Sequence, residues 1–260
     1  MSSDEKKRGL TLFSDPARLI ECVAQSPQLC AAHDRAGWVG LFARDGVVND
    51  PVGSRPHQGR EAIERFYDTF IAPNAIAFNV TRDIVCGMDV MRDLSIRTTL
   101  SGRIILDVPM HLHYELVEED GALKIHGLYA HWELPVMMAQ MMRMGLKGLW
   151  TSLQLTPRLL RHQGLGGLLG FMRGYFGIGR SAKPAVEALL AAARDGDEAL
   201  ARSHAATGVT LPQLRGVSWR KLIGAGNYVT ATIELDGKPG VALFRFDEKP
   251  DRVSHIQVFI

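Results

Sequence analysis

Asp50 occupies an unusual place for a carboxylate. It follows the apolar pair Val47-Val48, and Pro51 and Gly53 come directly after it, ahead of a helix-like run that ends in Phe66 and Tyr67. Two readings fit this spacing. Asp-Pro is a common turn opener. Alternatively, a strand that ends in a carboxylate at the rim of an apolar pocket holds a general base. One carboxylate on a pocket wall can take a proton from one carbon and return it to another, because the proton never has to reach water. In water an Asp, with a pKa of ~3.9, is a weak base; burial among apolar groups raises that value. The residue before a proline is held extended, which restricts where the Asp50 carboxylate points.

Other chemistries find less support. Nine histidines are scattered without HExxH or other metal-ligand spacing, so no metal is expected. The three cysteines, Cys22, Cys30 and Cys86, form no CxxC pair and read as reduced thiols of a cytoplasmic protein. Gly164-Leu165-Gly166-Gly167 is not followed by Lys-Ser or Lys-Thr and is no phosphate loop, and no cofactor is expected. His33-Asp34 reads as a helix cap. A net charge of +2 without an aromatic-interleaved basic patch argues against nucleic acid. The charged start, MSSDEKKRG, lacks the apolar core of a signal peptide, and no apolar run is long enough to span a bilayer.

The elements that would position Asp50 follow from periodicity. Residues 1–15 are polar and expected to be flexible. Leu19 to Phe42 carry helical spacing, with Pro27 opening a second helix. Val47-Val48 reads as a short strand and 51–59 as a turn-rich loop. Residues 60–70 read as a helix with Ile63, Phe66, Tyr67 and Phe70 on one face. Strands are expected over 78–88, 94–100, 102–117 and 123–132, with a turn at 118–121. Helices followed by a meander imply an α+β domain over 16–133.

Residues 134–183 form a connector, and its part from Leu134 to Arg180 contains no Asp or Glu but carries Arg143, Lys147, Arg158, Arg161, Arg173 and Arg180. Met137, Met138, Met141, Met142, Leu149 and Leu153 share one helical face, and glycines interrupt the second half. This segment reads as helices packed on the domains, or as a basic amphipathic element touching an anionic membrane or flanking the entrance for an apolar ligand. A second unit is expected over 184–260: a helix over 186–206, then strands over 209–211, 219–223, 228–235, 241–247 and 253–260, with Asp236-Gly237 as a hairpin turn. "HYELVEEDGALKIHGLY" and "LFRFDEKPDRVSHIQVF" give a weak internal repeat, which makes this unit a shortened second copy.

The runs "GLFARDGVVNDPVGSRPHQGREAIERFYDTF" and "HLHYELVEEDGALKIHGLYAHWE" resemble the ketosteroid isomerase and SnoaL-like branch of the NTF2-like superfamily over about residues 28–133. That resemblance implies a cone, a curved antiparallel sheet wrapped around helices, here with two units in tandem. It implies an apolar pocket, Asp50 as the base that moves a double bond in a polycyclic ketone, and Tyr67 as a supporting tyrosine. Ser26 and Leu112 stand at the positions of the family's two oxyanion donors. Trp38, Phe42, Phe66, Phe70, Met110, Leu112, Tyr114 and Trp132 are the expected substrate lining. Strand alternation sets Met110, Leu112 and Tyr114 on one face and His111 and His113 on the other. A bulge near Pro109 would turn one of these histidines inward as a donor, and His131 is a further candidate near the pocket mouth. The expected partner is a small apolar ligand such as a steroid, with a homodimer and peripheral membrane contact through 134–180 also carried as expectations. A non-catalytic steroid carrier, or a SnoaL-like cyclase or dehydratase using the same pocket, is the alternative reading.

Overall fold

A computed structural model describes residues 15–100, 104–145, 157, 160–162, 164–247 and 249–260. Residues 1–14, and Lys147, Leu149, Leu153 and Arg158 of the connector, lie outside the described residues.

Helix α1 runs unbroken from Pro16 to Ala31. Asp15 caps it by accepting from the Ala17 N–H at 3.0 Å. Pro27 sits inside this helix and does not start a new one. The lost backbone bond is outweighed by the continuous face of Leu19, Cys22, Val23, Ser26 and Cys30, which is buried against the rest of the domain. Short helix α2 (Arg35–Gly40) is capped by Asp34, as the sequence suggested. Helix α3 (Arg60–Phe66) passes into a π turn, Tyr67–Ile71, in place of a uniform helix over 60–70.

The first sheet has the order β2-β1-β6-β5-β4-β3, built from β1 (Phe42–Asn49), β2 (His57–Gln58), β3 (Ala75–Cys86), β4 (Asp89–Leu100), β5 (Ile104–Glu119) and β6 (Ala122–His131). Strand β1 is longer than its two valines implied, because it runs parallel to β6, with an irregularity between Phe42 and Val47. The β5–β6 turn uses Asp120-Gly121 with positive φ at both residues, the geometry of a tight hairpin. This curved sheet around α1–α3 is the expected α+β cone.

Helix α4 (Leu134–Arg143) opens the connector, and residues 164–172 are also helical. Helix α5 (Gly179–Asp195) continues through Pro184, so a boundary at 183/184 would cut it. Helix α6 (Glu198–Ser203) and a second antiparallel sheet follow, ordered β10-β9-β8-β7, from β7 (Ser218–Ala225), β8 (Tyr228–Leu235), β9 (Lys238–Arg245) and β10 (His255–Phe259). The Asp236-Gly237 turn joins β8 to β9 as expected, whereas 209–211 form no strand. A second sheet with one long helix is compatible with the tandem unit expected there.

The second sheet covers the outer face of the first. Ile84 and Met91 pack with Val241, Leu243 and Phe259. Beside them Lys221 Nζ donates to Asp93 Oδ1 at 2.5 Å and to the Met110 carbonyl at 2.9 Å, and also reaches the Leu94 carbonyl. The Thr232 hydroxyl donates to Asp93 Oδ2 at 3.0 Å. The β7–β8 turn meets the Asp50 loop backbone to backbone. A Cβ on Gly53 would lie 2.5 Å from Gly226 Cα, and one on Gly177 of the connector would lie 2.2 Å from the Gly226 oxygen. The late connector glycines are therefore close-contact points as well as helix interrupters.

Candidate functional site

Asp50 lies just past β1, where Asn49 still pairs with Tyr129 of β6. The loop it opens is tied at two points. Val52 N–H donates to the Ala130 carbonyl at 2.9 Å, and Arg55 N–H to the Gly170 carbonyl at 3.0 Å. The Asp50–Pro51 peptide is cis. Trp132, directly after β6, donates its indole Nε1–H to Asp50 Oδ1 at 2.6 Å. Burial pushes the Asp50 carboxyl up to about 6, against the smaller opposing pull of the Trp132 hydrogen bond. Such a group is ionised at neutral pH and is a stronger base than a solvated Asp.

The carboxylate opens on a cavity between the helices and the inner face of the first sheet. Space open to water centres is about 160 Å³, well beyond the ~10–15 Å³ that admits a single water. Of the expected lining residues, Trp38, Phe66, Phe70, Met110, Leu112, Tyr114 and Trp132 border it together with Ser26. Asp50 is the only acidic or basic side chain among the described lining residues. Cys30 also borders the cavity, but burial, and secondarily the Asp50 carboxylate, push its thiol up to about 12, so it is no nucleophile at neutral pH.

Two expected site residues stand behind the wall. Phe42 packs on Trp38 with ring centroids 4.8 Å apart, and Tyr67 does so at 5.6 Å. Neither borders the cavity, because Trp38 fills the space between. The Tyr67 hydroxyl is buried without a hydrogen-bond partner, so the supporting bond implied by the resemblance is not made among the described residues.

Among the cavity residues a second hydroxyl, besides Ser26, belongs to Tyr114, which the sequence placed on the wall without a polar role. Its ring borders the cavity and its buried hydroxyl makes no hydrogen bond of ordinary length and angle, with the Ser26 hydroxyl and the Arg92 guanidinium as its polar neighbours. Burial pushes this phenol up to about 12, partly countered by the Arg92 guanidinium, whose carbon lies 5.7 Å from the ring centroid. Arg92 is itself held by Asp83 at 2.6 and 2.9 Å. Ser26 accepts from Trp38 Nε1 at 3.1 Å and lies beside the Tyr114 hydroxyl. The cavity thus combines one buried carboxylate with two hydroxyl groups in apolar surroundings.

The family model described as "SnoaL-like domain" matches residues 23–125, which contain Asp50, Tyr114 and most of the wall. Residues 23–125 are a SnoaL-like domain. Among solved structures, the Δ5-3-ketosteroid isomerase from Mycobacterium sp. is similar at 25% identity, over 45% of this chain and 95% of its own, with a TM-score of 0.42. A Mycobacterium tuberculosis protein in complex with estradiol-17β-hemisuccinate is similar at 25% identity, over 45% of this chain and 95% of its own, with a TM-score of 0.41. The epoxide hydrolase/cyclase-like enzyme SalBIII is similar at 20% identity, over 47% of this chain and 95% of its own, with a TM-score of 0.42.

On the outer face of the SnoaL-like domain lie the histidines once considered as donors. Pairing of β4 with β5 runs through Ser95–Pro109 without a break, and the irregularity of β5 falls at Glu115/Leu116 in its pairing with β6. No register shift therefore turns a histidine inward. His111 is held between the Thr230 and Thr232 hydroxyls at 2.7 and 2.9 Å. His131 lies edge-on to Tyr228, with ring centroids 5.7 Å apart, and burial pushes it down to about 3. His113 Nε2 is 2.7 Å from Asp89 Oδ1. Asp89, His113 and Glu115 bring ligand-type atoms within 4.8 Å of one another, but this group faces away from the SnoaL-like cavity, and Tyr129 donates to Glu115 at 3.1 Å.

The SnoaL-like domain borrows part of its wall from outside the matched residues. Trp132, Met137, Met141 and Phe171 all border the cavity. The methionine stripe of the connector was visible as an apolar face, but Phe171 carried no local signal of pairing with Phe70, on which it stacks at 5.3 Å. Because the Trp132 bond favours the Asp50 anion, Trp132→Phe is expected to raise the carboxyl pKa above that of the parent. A ¹³C NMR titration of the Asp50 carboxyl reads this directly, and an unshifted midpoint would remove Trp132 from the account.

Proposed function

We propose that this protein is a proton-transfer enzyme of the ketosteroid isomerase type, acting on an apolar polycyclic ketone such as a steroid. The observation that carries the reading is a lone carboxylate with a raised pKa in an apolar cavity that is also lined by the Tyr114 and Ser26 hydroxyls. In this reading Asp50 removes the proton from the carbon between the carbonyl and the double bond. Tyr114 donates a hydrogen bond to the developing enolate oxygen, with Ser26 beside it, and Asp50 returns the proton further along the chain. Trp132 keeps one carboxylate oxygen occupied, which leaves the other to face substrate.

Conversion of a β,γ-unsaturated ketosteroid to its conjugated enone, followed by ultraviolet absorbance, tests the proposal. Tyr114→Phe is expected to lower kcat by about 10²–10³-fold with little change in steroid affinity. A loss of a few-fold would assign the donor elsewhere. Leu112, which cannot donate where the resemblance places a donor, favours a second reading as a steroid carrier; tight binding with no enone formed would establish that one. A cyclase or dehydratase would use Asp50 in the same way on a different apolar substrate.

A further inference from the structure

The connector presents an apolar stripe that the cavity does not use. Among the described residues twelve large apolar side chains are exposed, and eight of them fall between 142 and 176. Leu165 is 72% exposed, Leu169 68% and Phe176 79%. Leu165, Leu169 and Met172 are spaced four and three residues apart on one helix, so they share a face. Phe176 extends the stripe just past the short 3₁₀ turn Arg173–Tyr175. The other side of the same helix reaches the cavity through Phe171.

Charge selects what this stripe meets. The segment 134–180 has no acidic residue, and Arg143, Arg161, Arg173 and Arg180 are exposed along it. A second copy of the chain docking face to face would bring two such basic segments together, which is repulsive. An anionic bilayer surface satisfies both features, since the apolar side chains enter the headgroup boundary while the arginines meet lipid phosphates. No helix among the described residues is long and apolar enough to cross a membrane, so the contact is peripheral.

We propose that the connector seats the protein on anionic membrane surfaces through Leu165, Leu169, Met172 and Phe176 with the flanking arginines. The proposal does not depend on turnover at Asp50.

Co-sedimentation of the full chain with vesicles of phosphatidylcholine, alone or mixed with phosphatidylglycerol, tests it. Binding is expected only to the mixed vesicles and should weaken as salt is raised. Two variants, Leu165→Ser/Leu169→Ser/Phe176→Ser and Arg161→Glu/Arg173→Glu, are each expected to lower the partition coefficient by about tenfold or more. Their thermal unfolding should match the parent, because all five side chains are exposed; if the serine variant misfolds, the arginine variant decides. No binding to mixed vesicles, or full binding by a folded variant, overturns the proposal. So does a dimer in sedimentation velocity that the serine variant abolishes, which would assign the stripe to a second copy.

Discussion

Asp50→Asn is expected to lower turnover of a β,γ-unsaturated ketone by about 10²–10⁴-fold and at the same time to make the protein more stable at neutral pH. Both effects come from one raised pKa. The fold favours the protonated carboxyl, so between about pH 4 and 6 the native state holds a proton that the unfolded chain has released. Stability therefore falls as pH rises through that window and stays lower above it. With the carboxyl pushed up to about 6, the uncharged amide is expected to gain on the order of 3 kcal/mol at neutral pH. The Asn side chain can still accept from Trp132 Nε1, so the geometry of the loop is kept. Chemical denaturation at pH 4 and pH 7 reads the result: the two proteins should match at the acid end and separate at neutral pH. Equal stability at pH 7 would mean that the carboxylate is better solvated than its surroundings indicate. The same group makes kcat/KM of the parent rise with pH, with a midpoint near 6.

Asp93→Ala is the variant expected to cost most in stability, about 3 kcal/mol. Asp93 is buried and receives hydrogen bonds from Lys221 and Thr232 across the interface between the two sheets. Without it, Lys221 keeps only the carbonyls of Leu94 and Met110, and the Thr232 hydroxyl is left with His111 Nε2, 2.9 Å away. Partial exposure of the Lys221 side chain keeps the cost at the lower end for a buried pair, since water can reach the ammonium. Urea unfolding with an unchanged m-value would read the loss as a lower midpoint. Pairing Asp93→Leu with Lys221→Met should recover part of it, because no unpaired charge then remains. A change below 1 kcal/mol for Asp93→Ala would mean that the apolar contacts of Ile84, Met91, Val241, Leu243 and Phe259 alone fasten the second sheet.

Much of the site was legible residue by residue. Val47-Val48 running into Asp50-Pro51 marked the strand end, and the helix face of Phe66 and Phe70 followed from spacing alone. Alternation along β5 correctly separated Met110, Leu112 and Tyr114 from His111 and His113. Alternation does not say what covers the far face, and there the reading stopped. The threonines that hold His111 lie more than a hundred residues away in β8. The family pattern points to Ser26 and Leu112, whereas the surroundings of the Tyr114 hydroxyl depend on Arg92, which Asp83 holds across β4 and β3. Pro27 misled for a related reason, since local propensity yields when a whole helical face is buried.

The contact of Gly53 and Gly177 with Gly226 ties the Asp50 loop to the second sheet. A Cβ on Gly53 would lie 2.5 Å from Gly226 Cα, and one on Gly226 would lie 2.7 Å from Gly53 Cα. A side chain on either partner therefore needs the backbone to shift. A substitution at Gly226, far from the cavity in sequence, would displace the loop that carries Asp50.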